Sequence, residues 1–301
     1  MASIASRPAG TQAAVWMVTS CVAFASMWVM IRYASASLHA FEIVFFRNAL
    51  GLIVLLPMLL RTPGLLQLTR WRVHVRRATS GFIATMGTFY AVANAPLATA
   101  LSINYTAPLF ATIGAVLFLG ERIRIRRVAA LAAGFCGMLI VVRPGAVPLS
   151  AGVVAAVISA ISTAFSVVAI RQLVGKDDSR AVAAWSFILL VIPSLIVAAF
   201  VWVWPPREVW PLLAGIGVMA AIGQLSVSKA FSLAEASAVL PFDFVRFALV
   251  TLAGVMLFGE RYDLLTLGGG AIILASTIYL ALREAKVARD ARAASLPVRD
   301  S

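Results

Sequence analysis

The sequence is short of charge. Asp, Glu, Lys and Arg make up 12% of its 301 residues, against roughly 25% in an average soluble protein. Hydrophobic residues make up 62%, so the chain cannot cover a soluble surface with polar groups. That excludes a secreted or cytosolic globular enzyme, a disordered tail protein and a coiled coil. Only two cysteines occur, Cys21 and Cys136, each inside an apolar run, and neither a disulfide framework nor a thiolate metal site is expected. The two histidines, His39 and His74, are too isolated for a metal cluster. Nothing matches Gly-x-x-x-x-Gly-Lys-Ser/Thr, His-Glu-x-x-His or a nucleophile elbow, so ATP-driven pumping and intramembrane hydrolysis are not expected, and no cofactor is implied. What remains is a multi-pass membrane protein.

A bilayer core about 30 Å thick takes around 20 mostly apolar residues per helix. The uncharged stretch from Pro8 to Ile31 gives helix one, over 13–32. Its apolar run is too long for a signal-peptide core, and no small-x-small cleavage site precedes a soluble domain. Helix two covers 41–60 and is broken only by Arg47. The uncharged run of 43 residues from Ala78 to Gly120 holds helices three and four, with a turn at Asn94-Ala95-Pro96. Helix five covers 128–142 and closes at Arg143-Pro144-Gly145. Helices six to ten follow over 150–170, 181–203, 210–230, 236–258 and 264–282, with Trp204-Pro205-Pro206 separating seven from eight. The expected fold is therefore an all-α membrane protein of ten transmembrane helices. Its organisation is a tail (1–12), a first unit (13–143), a linker (144–149), a second unit (150–282) and a basic tail (283–301).

The net charge of +13 comes from 25 Lys and Arg against 12 Asp and Glu, and by itself points to nucleic acid. Its distribution points to topology instead. With the N-terminus inside, nineteen of the cations fall on the inner side, among them Arg70, Arg72, Arg76, Arg77, Arg122, Arg124, Arg126, Arg127 and the C-terminal tail. Four fall outside (Arg32, Arg143, Arg207, Arg261) and two lie within helices (Arg47, Arg246). Such a split is the positive-inside pattern. The expectation is a multi-pass protein of a bacterial inner membrane with both termini cytoplasmic, its basic excess on anionic headgroups.

A shift of 139 residues lays Gly120-Glu121-Arg122 on Gly259-Glu260-Arg261, Ala91 on Ala230, Ala95 on Ala234 and Leu101 on Leu240. Each unit has five helices, an odd number, so the second copy is inverted in the membrane. Inverted repeats mark secondary transporters that hold substrate near the midplane. The Leu-x-Gly-Glu-Arg ends of helices four and nine, the Phe-Phe-Arg-Asn segment at 45–48 and the Tyr-Ala-x-x-x-Ala segment at 90–95 resemble the drug/metabolite transporter superfamily, specifically its EamA-type members. The resemblance covers all but the tails. It implies a carrier of small organic metabolites (amino acids, amines, nucleotide-like compounds such as S-adenosylmethionine, or drugs). Helices one to four and six to nine would surround a cavity, with five and ten apart from it.

A charge at the centre of a membrane helix costs at least about 2.5–3.5 kcal/mol on insertion scales, so intramembrane polar residues are the candidate site. Arg47 either pairs with a substrate carboxylate or phosphate, or snorkels or pairs with Glu42. Asp243 and Arg246, three apart in helix nine, form a substrate site or a self-compensated pair. A third reading gives Asp243 a coupling proton. Asn104, which the repeat lays on Asp243, and Tyr105 either build a two-sided polar site or hydrogen-bond helix four to helix nine. Pro108 and Pro241 are gating bends or plain curvature, and Pro193 is assigned to curvature. Tyr90 and Gln224 are expected to line the cavity, whereas Trp28, Phe89, Trp202, Trp204 and Trp210 fit an outer aromatic belt. Glu121 and Glu260 are expected at helix boundaries. Ala129, Ala133 and Gly137 offer a close-packing seam, within the chain or in a homodimer. The functional expectation is alternating access around one site formed by Arg47, Tyr90, Asn104, Tyr105, Gln224, Asp243 and Arg246. A lipid-modifying enzyme and a non-transporting scaffold are the competing classes.

Overall fold

The structure, a computed structural model, describes residues 9–62, 64–66, 71–107, 109–111, 113, 125–143, 150–173, 178–233, 244–261 and 263–294. Pro108, Glu121, Glu235, Pro241, Asp243 and the 144–149 linker lie outside the described residues. Ten α-helices are present among the rest: α1 (Ala9–Ala34), α2 (Ala40–Arg61), α3 (Trp71–Asn94), α4 (Leu97–Asn104), α5 (Ile125–Val142), α6 (Ala151–Leu173), α7 (Ser179–Ala199), α8 (Trp210–Leu233), α9 (Phe244–Phe258) and α10 (Leu264–Ala294). A 3₁₀ turn, Arg207–Val209, leads into α8. Among the described residues, four helical stretches are long and apolar enough to cross a membrane: Thr11–Ala34, Ala40–Arg61, Arg180–Ala199 and Arg207–Leu233.

Helix ends follow local chemistry. His39 caps α2: its Nδ1 accepts from the Phe41 amide, while Glu42 accepts from the His39 amide at 3.1 Å, a reciprocal capping box. Asp178 caps α7 by accepting from the Arg180 amide at 2.8 Å, and the Arg180 guanidinium beside it holds its carboxyl below the usual carboxylate range. The turn expected at Asn94-Ala95-Pro96 is present, between α3 and α4. Arg143 ends α5 with a positive φ of 48°, donating its amide to Leu139 at 2.8 Å. Its guanidinium pairs with Asp263, which Arg143 and Thr266 hold down at about 2.

Several expected boundaries move. α3 starts at Trp71, so Arg72, Arg76 and Arg77 lie on its first two turns and not in a loop. α7 stops at Ala199 rather than at 203, because Val201 and Phe200 close the helix with bonds to residues three back and Trp204-Pro205-Pro206 cannot extend it. α10 runs on to Ala294: Ala, Arg, Lys and Glu are strong helix formers, so the apolar run ends before the helix does. α4 breaks at Tyr105 and Thr106, where amides bond to carbonyls three residues back, Thr106 to Ile103 at 2.9 Å and Leu109 to Thr106 at 2.9 Å.

The two halves interleave. α1 packs chiefly on α8 and α3 on α6, α2 lies against both α7 and α8, and α5 pairs with α10 beside α4. Lipid tails are as apolar as leucine, so close contact holds helices together here and small residues permit it. A β-carbon on Gly87 would stand 2.7 Å from the Ala155 carbonyl oxygen in α6. One on Gly137 would stand 2.8 Å from the Gly269 oxygen in α10, which assigns Gly137 to packing within the chain, while Ala129 and Ala133 are exposed. Trp28 and Phe89 are buried in the main core and so do not belong to an outer belt. Trp204, 77% exposed, does fit one.

Candidate functional site

Arg47 lies seven residues into α2, about 10 Å from its start at 1.5 Å per residue, and is only 8% exposed. Its Nη1 donates to Asn48 Oδ1 at 2.7 Å. Asn48 Nδ2 donates to Ser194 Oγ at 3.3 Å, and Ser194 Oγ donates back to the Leu190 carbonyl at 2.5 Å. The guanidinium carbon stands 4.8 Å from the centre of the Phe187 ring, a cation–π contact strengthened by desolvation. Phe187 is fully buried and fits there because residue 51 is glycine, where a β-carbon would stand 2.5 Å from its ring. Glu42 is not the partner of Arg47: its oxygens accept from the amides of His39 and, at 2.8 Å, Val203.

Arg47 lines a cavity of about 130 Å³ together with residues of four other helices. α3 contributes His74, Arg77, Ala78, Gly81 and Thr85, a stripe at helical spacing; α6 gives Ser166, α7 gives Trp185, Ser186, Leu189 and Leu190, and α8 gives Gln224. Arg77 donates through Nη2 to Ser186 Oγ at 2.9 Å and through Nη1 to the Val182 carbonyl at 3.4 Å. The His74 and Trp185 rings are centred 6.5 Å apart. From Arg47 the lining therefore runs toward the starts of α3 and α7 and the end of α6.

At the other end of α3, α1 and α4 are tied together. Arg32, at the end of α1, donates through Nη1 to the carbonyls of Val92 (2.8 Å), Ala93 (2.9 Å) and Ala95 (3.2 Å), and its Nη2 lies 3.8 Å from Glu260. The Glu260 carboxylate also accepts from the Leu97 amide at 2.9 and 3.2 Å. It thus caps α4, whose N-cap residue, Pro96, makes no side-chain cap of its own.

The other expected site residues fall elsewhere. Tyr90 packs against His39 and Phe41, with ring centres 6.2 and 6.1 Å away, at the capped start of α2 and away from the Arg47 cavity. Asn104 bonds α4 to α3: its Nδ2 donates to Thr88 Oγ1 at 3.1 Å, and Thr88 meets Ser159 of α6 at 2.6 Å. Arg246 lies between two rings, 5.7 Å from Tyr105 and 5.9 Å from Phe24. Arg246 and Tyr105 are thus brought together, and so are Arg47 and Gln224, as two separate groups. Sequence reasoning missed Asn48, His74, Arg77, Trp185 and Ser186. The stripe at 74, 77, 78, 81 and 85 was the available signal, hidden because the basic string in front of it read as a loop.

A model of the EamA-like transporter family matches residues 11–143 and 150–282. The chain is 30% identical to the S-adenosylmethionine uptake transporter of Rickettsia bellii over 272 residues, which is 90% of this chain and 94% of that one. It is 31% identical to a riboflavin transporter of Vibrio cholerae over 288 residues, covering 93% and 96%. It is 33% identical to a pseudopaline exporter of Pseudomonas aeruginosa over 265 residues, covering 85% and 91%. A solved crystal structure superposes with a TM-score of 0.64 over 93% of this chain and 98% of that one, at 20% identity; this likeness concerns the fold.

Proposed function

The chain belongs to the EamA-like transporter family, and from that premise we propose that it carries a small organic metabolite across the bacterial inner membrane by alternating access, with Arg47 at the substrate site. The observation that carries this reading is the guanidinium of Arg47, buried deep in α2 and lining a cavity shared by five helices. A charge so costly to bury is kept where it meets cargo.

In this reading all ten helices span the bilayer as two inverted five-helix units. The interleaved contacts support it: α1 with α8 mirrors α3 with α6, α1 with α9 mirrors α4 with α6, and α2 with α3 mirrors α7 with α8. The 139-residue shift also lays Arg171 on Arg32 and Glu121 on Glu260, so both partners of the Arg32 tie recur in the other unit. We assign the Arg32–Glu260 end to the outer face and the arginine-bearing starts of α3 and α7 to the cytoplasm, with both termini there. The cavity is then inward-facing and the tie is the closed outer gate. Rocking of the units would break it and form its counterpart at Glu121 and Arg171.

Gln224 shapes the cavity, and Tyr105 with Arg246 forms a second polar station toward α1. Asp243, three residues before Arg246 in the sequence, is assigned the coupling proton, and Pro108 and Pro241 the bends. Purified protein in proteoliposomes tests the carrier reading, by counterflow of labelled S-adenosylmethionine, riboflavin, amino acids and amines in both directions. Arg47→Ala is expected to lower flux of the accepted metabolite at least about 100-fold, the loss of a charge-assisted bidentate contact. Wild-type flux in that variant removes the assigned role. Asp243→Asn is expected to abolish the response to an imposed pH gradient, and an unchanged response refutes the proton assignment.

A further inference from the structure

We infer that the inner part of this cavity is an oxyanion pocket, selecting cargo that presents a carboxylate or phosphate to Arg47, Arg77 and the indole N–H of Trp185. The inference rests on the substrate-site reading above and deepens it to a chemical class. Its first ground is charge. Two guanidiniums line the same cavity of about 130 Å³, and among the described residues no Asp or Glu does. Both are braced by neutral groups: Arg47 by Asn48 and the Phe187 face, Arg77 by Ser186 and the Val182 carbonyl. Two described carboxylates in this region are committed elsewhere, Glu42 to two backbone amides and Asp178 to Arg180. Removing an ion from water costs several kcal/mol even after relaxation, and the cost is recovered only by an opposite charge with good geometry.

The second ground is hydrogen bonding. Arg47 Nε and Trp185 Nε1 are buried and have no partner among the described residues, although the large majority of buried side-chain polar atoms are paired. Both belong to residues that line the cavity, and both can only donate. A site built of two forks and an indole N–H matches the planar or tetrahedral oxygens of an acid and repels an ammonium. An amine without an acid group is therefore rejected, and a zwitterion enters acid end first. The volume suits such a head group alone, leaving the rest of the cargo along the α3 stripe.

The test is thermal unfolding of the detergent-solubilised full chain at constant ionic strength. Chloride is replaced stepwise by acetate or by inorganic phosphate, and tetramethylammonium chloride serves as the cationic control. Acetate or phosphate is expected to raise the midpoint saturably, and whichever acts at lower concentration identifies the head group as carboxylate or phosphate. Arg77→Gln is expected to raise the half-saturating concentration about tenfold, and Trp185→Phe, which keeps the ring and loses the donor, about threefold or more. Arg207→Gln, exposed on the turn before α8 and outside the cavity lining, should leave it unchanged. Should Arg77→Gln fail to fold, Arg77→Lys and Trp185→Phe carry the comparison. An absent anion effect, an equal effect in Trp185→Phe and Arg77→Lys, or an equal effect of tetramethylammonium overturns the pocket. Counterflow separates this failure from that of the carrier reading. Transport that persists without an anion effect removes the pocket alone, and an anion effect with no flux of any panel metabolite removes the carrier.

Discussion

At the scale of single residues, the Arg47–Asn48 pair concentrates the physics of the site. Asn48 is fully buried and offers Arg47 a neutral acceptor that orients the fork without discharging it. Asn48→Asp keeps the shape and adds a fixed counter-charge at 2.7 Å from Nη1. It is expected to stabilise the resting protein while cutting flux of an anionic cargo at least about tenfold, since a charge-assisted bond now competes with the substrate. Counterflow rates alongside unfolding midpoints check this, and an Asn48→Asp variant that transports normally contradicts it. Arg47 was legible in the sequence because one cation interrupts an otherwise apolar run. Arg77 and His74 were not, because helix propensity carries α3 past the boundary that hydrophobicity draws, and a cation on a first turn looks like a cation in a loop. Asn104 was legible as a polar residue, but its bond to Thr88 of α3 was not, since the repeat pointed only to helix nine.

At the scale of elements, two features set the framework. The α3–α6 contact depends on Gly87, whose replacement by alanine would push a β-carbon to 2.7 Å from the Ala155 oxygen and 3.0 Å from Ser159 Cβ. Backbone cannot yield there as a side-chain tip would. Gly87→Ala is therefore expected to lose about 1–3 kcal/mol to overpacking, only partly offset by the roughly 1 kcal/mol gain in helix propensity. A raised unfolding midpoint would contradict the close approach. The second feature is the Glu260 cap of α4. Glu260→Ala removes the acceptor from the Leu97 amide and is expected to cost about 0.5–2 kcal/mol. Glu260→Gln keeps an acceptor, recovers most of that loss and still lacks the charge facing Arg32. Equal midpoints for the two variants would show that the cap contributes nothing. Most helix ends were legible because their signals are local: the Asn94-Ala95-Pro96 turn and the Arg143 stop need no tertiary contact. The length of α10 was not, since the count of apolar residues measures a span and the helix continues on Ala, Arg, Lys and Glu.

At the scale of the whole molecule, the crossing of α1 with α8 and α3 with α6 means that neither half packs as a separate bundle, so a cavity bounded by α2, α3, α6, α7 and α8 draws on both. The count of ten helices was legible because charges, prolines and glycines punctuate the chain. Which helices interleave was not, because apolar surfaces of similar composition carry no address and small residues set the pairing only once backbones meet. The account stands on the cavity being wet from the arginine-bearing side and occupied by cargo during transport. A chain with both native cysteines replaced by serine and Thr85 replaced by cysteine tests that directly, by the rate of labelling with a membrane-impermeant thiol reagent applied to inside-out and to right-side-out vesicles. The predicted result is rapid labelling from the cytoplasmic face alone, slowed by the transported metabolite; labelling from neither face, or at a rate indifferent to that metabolite, would contradict it.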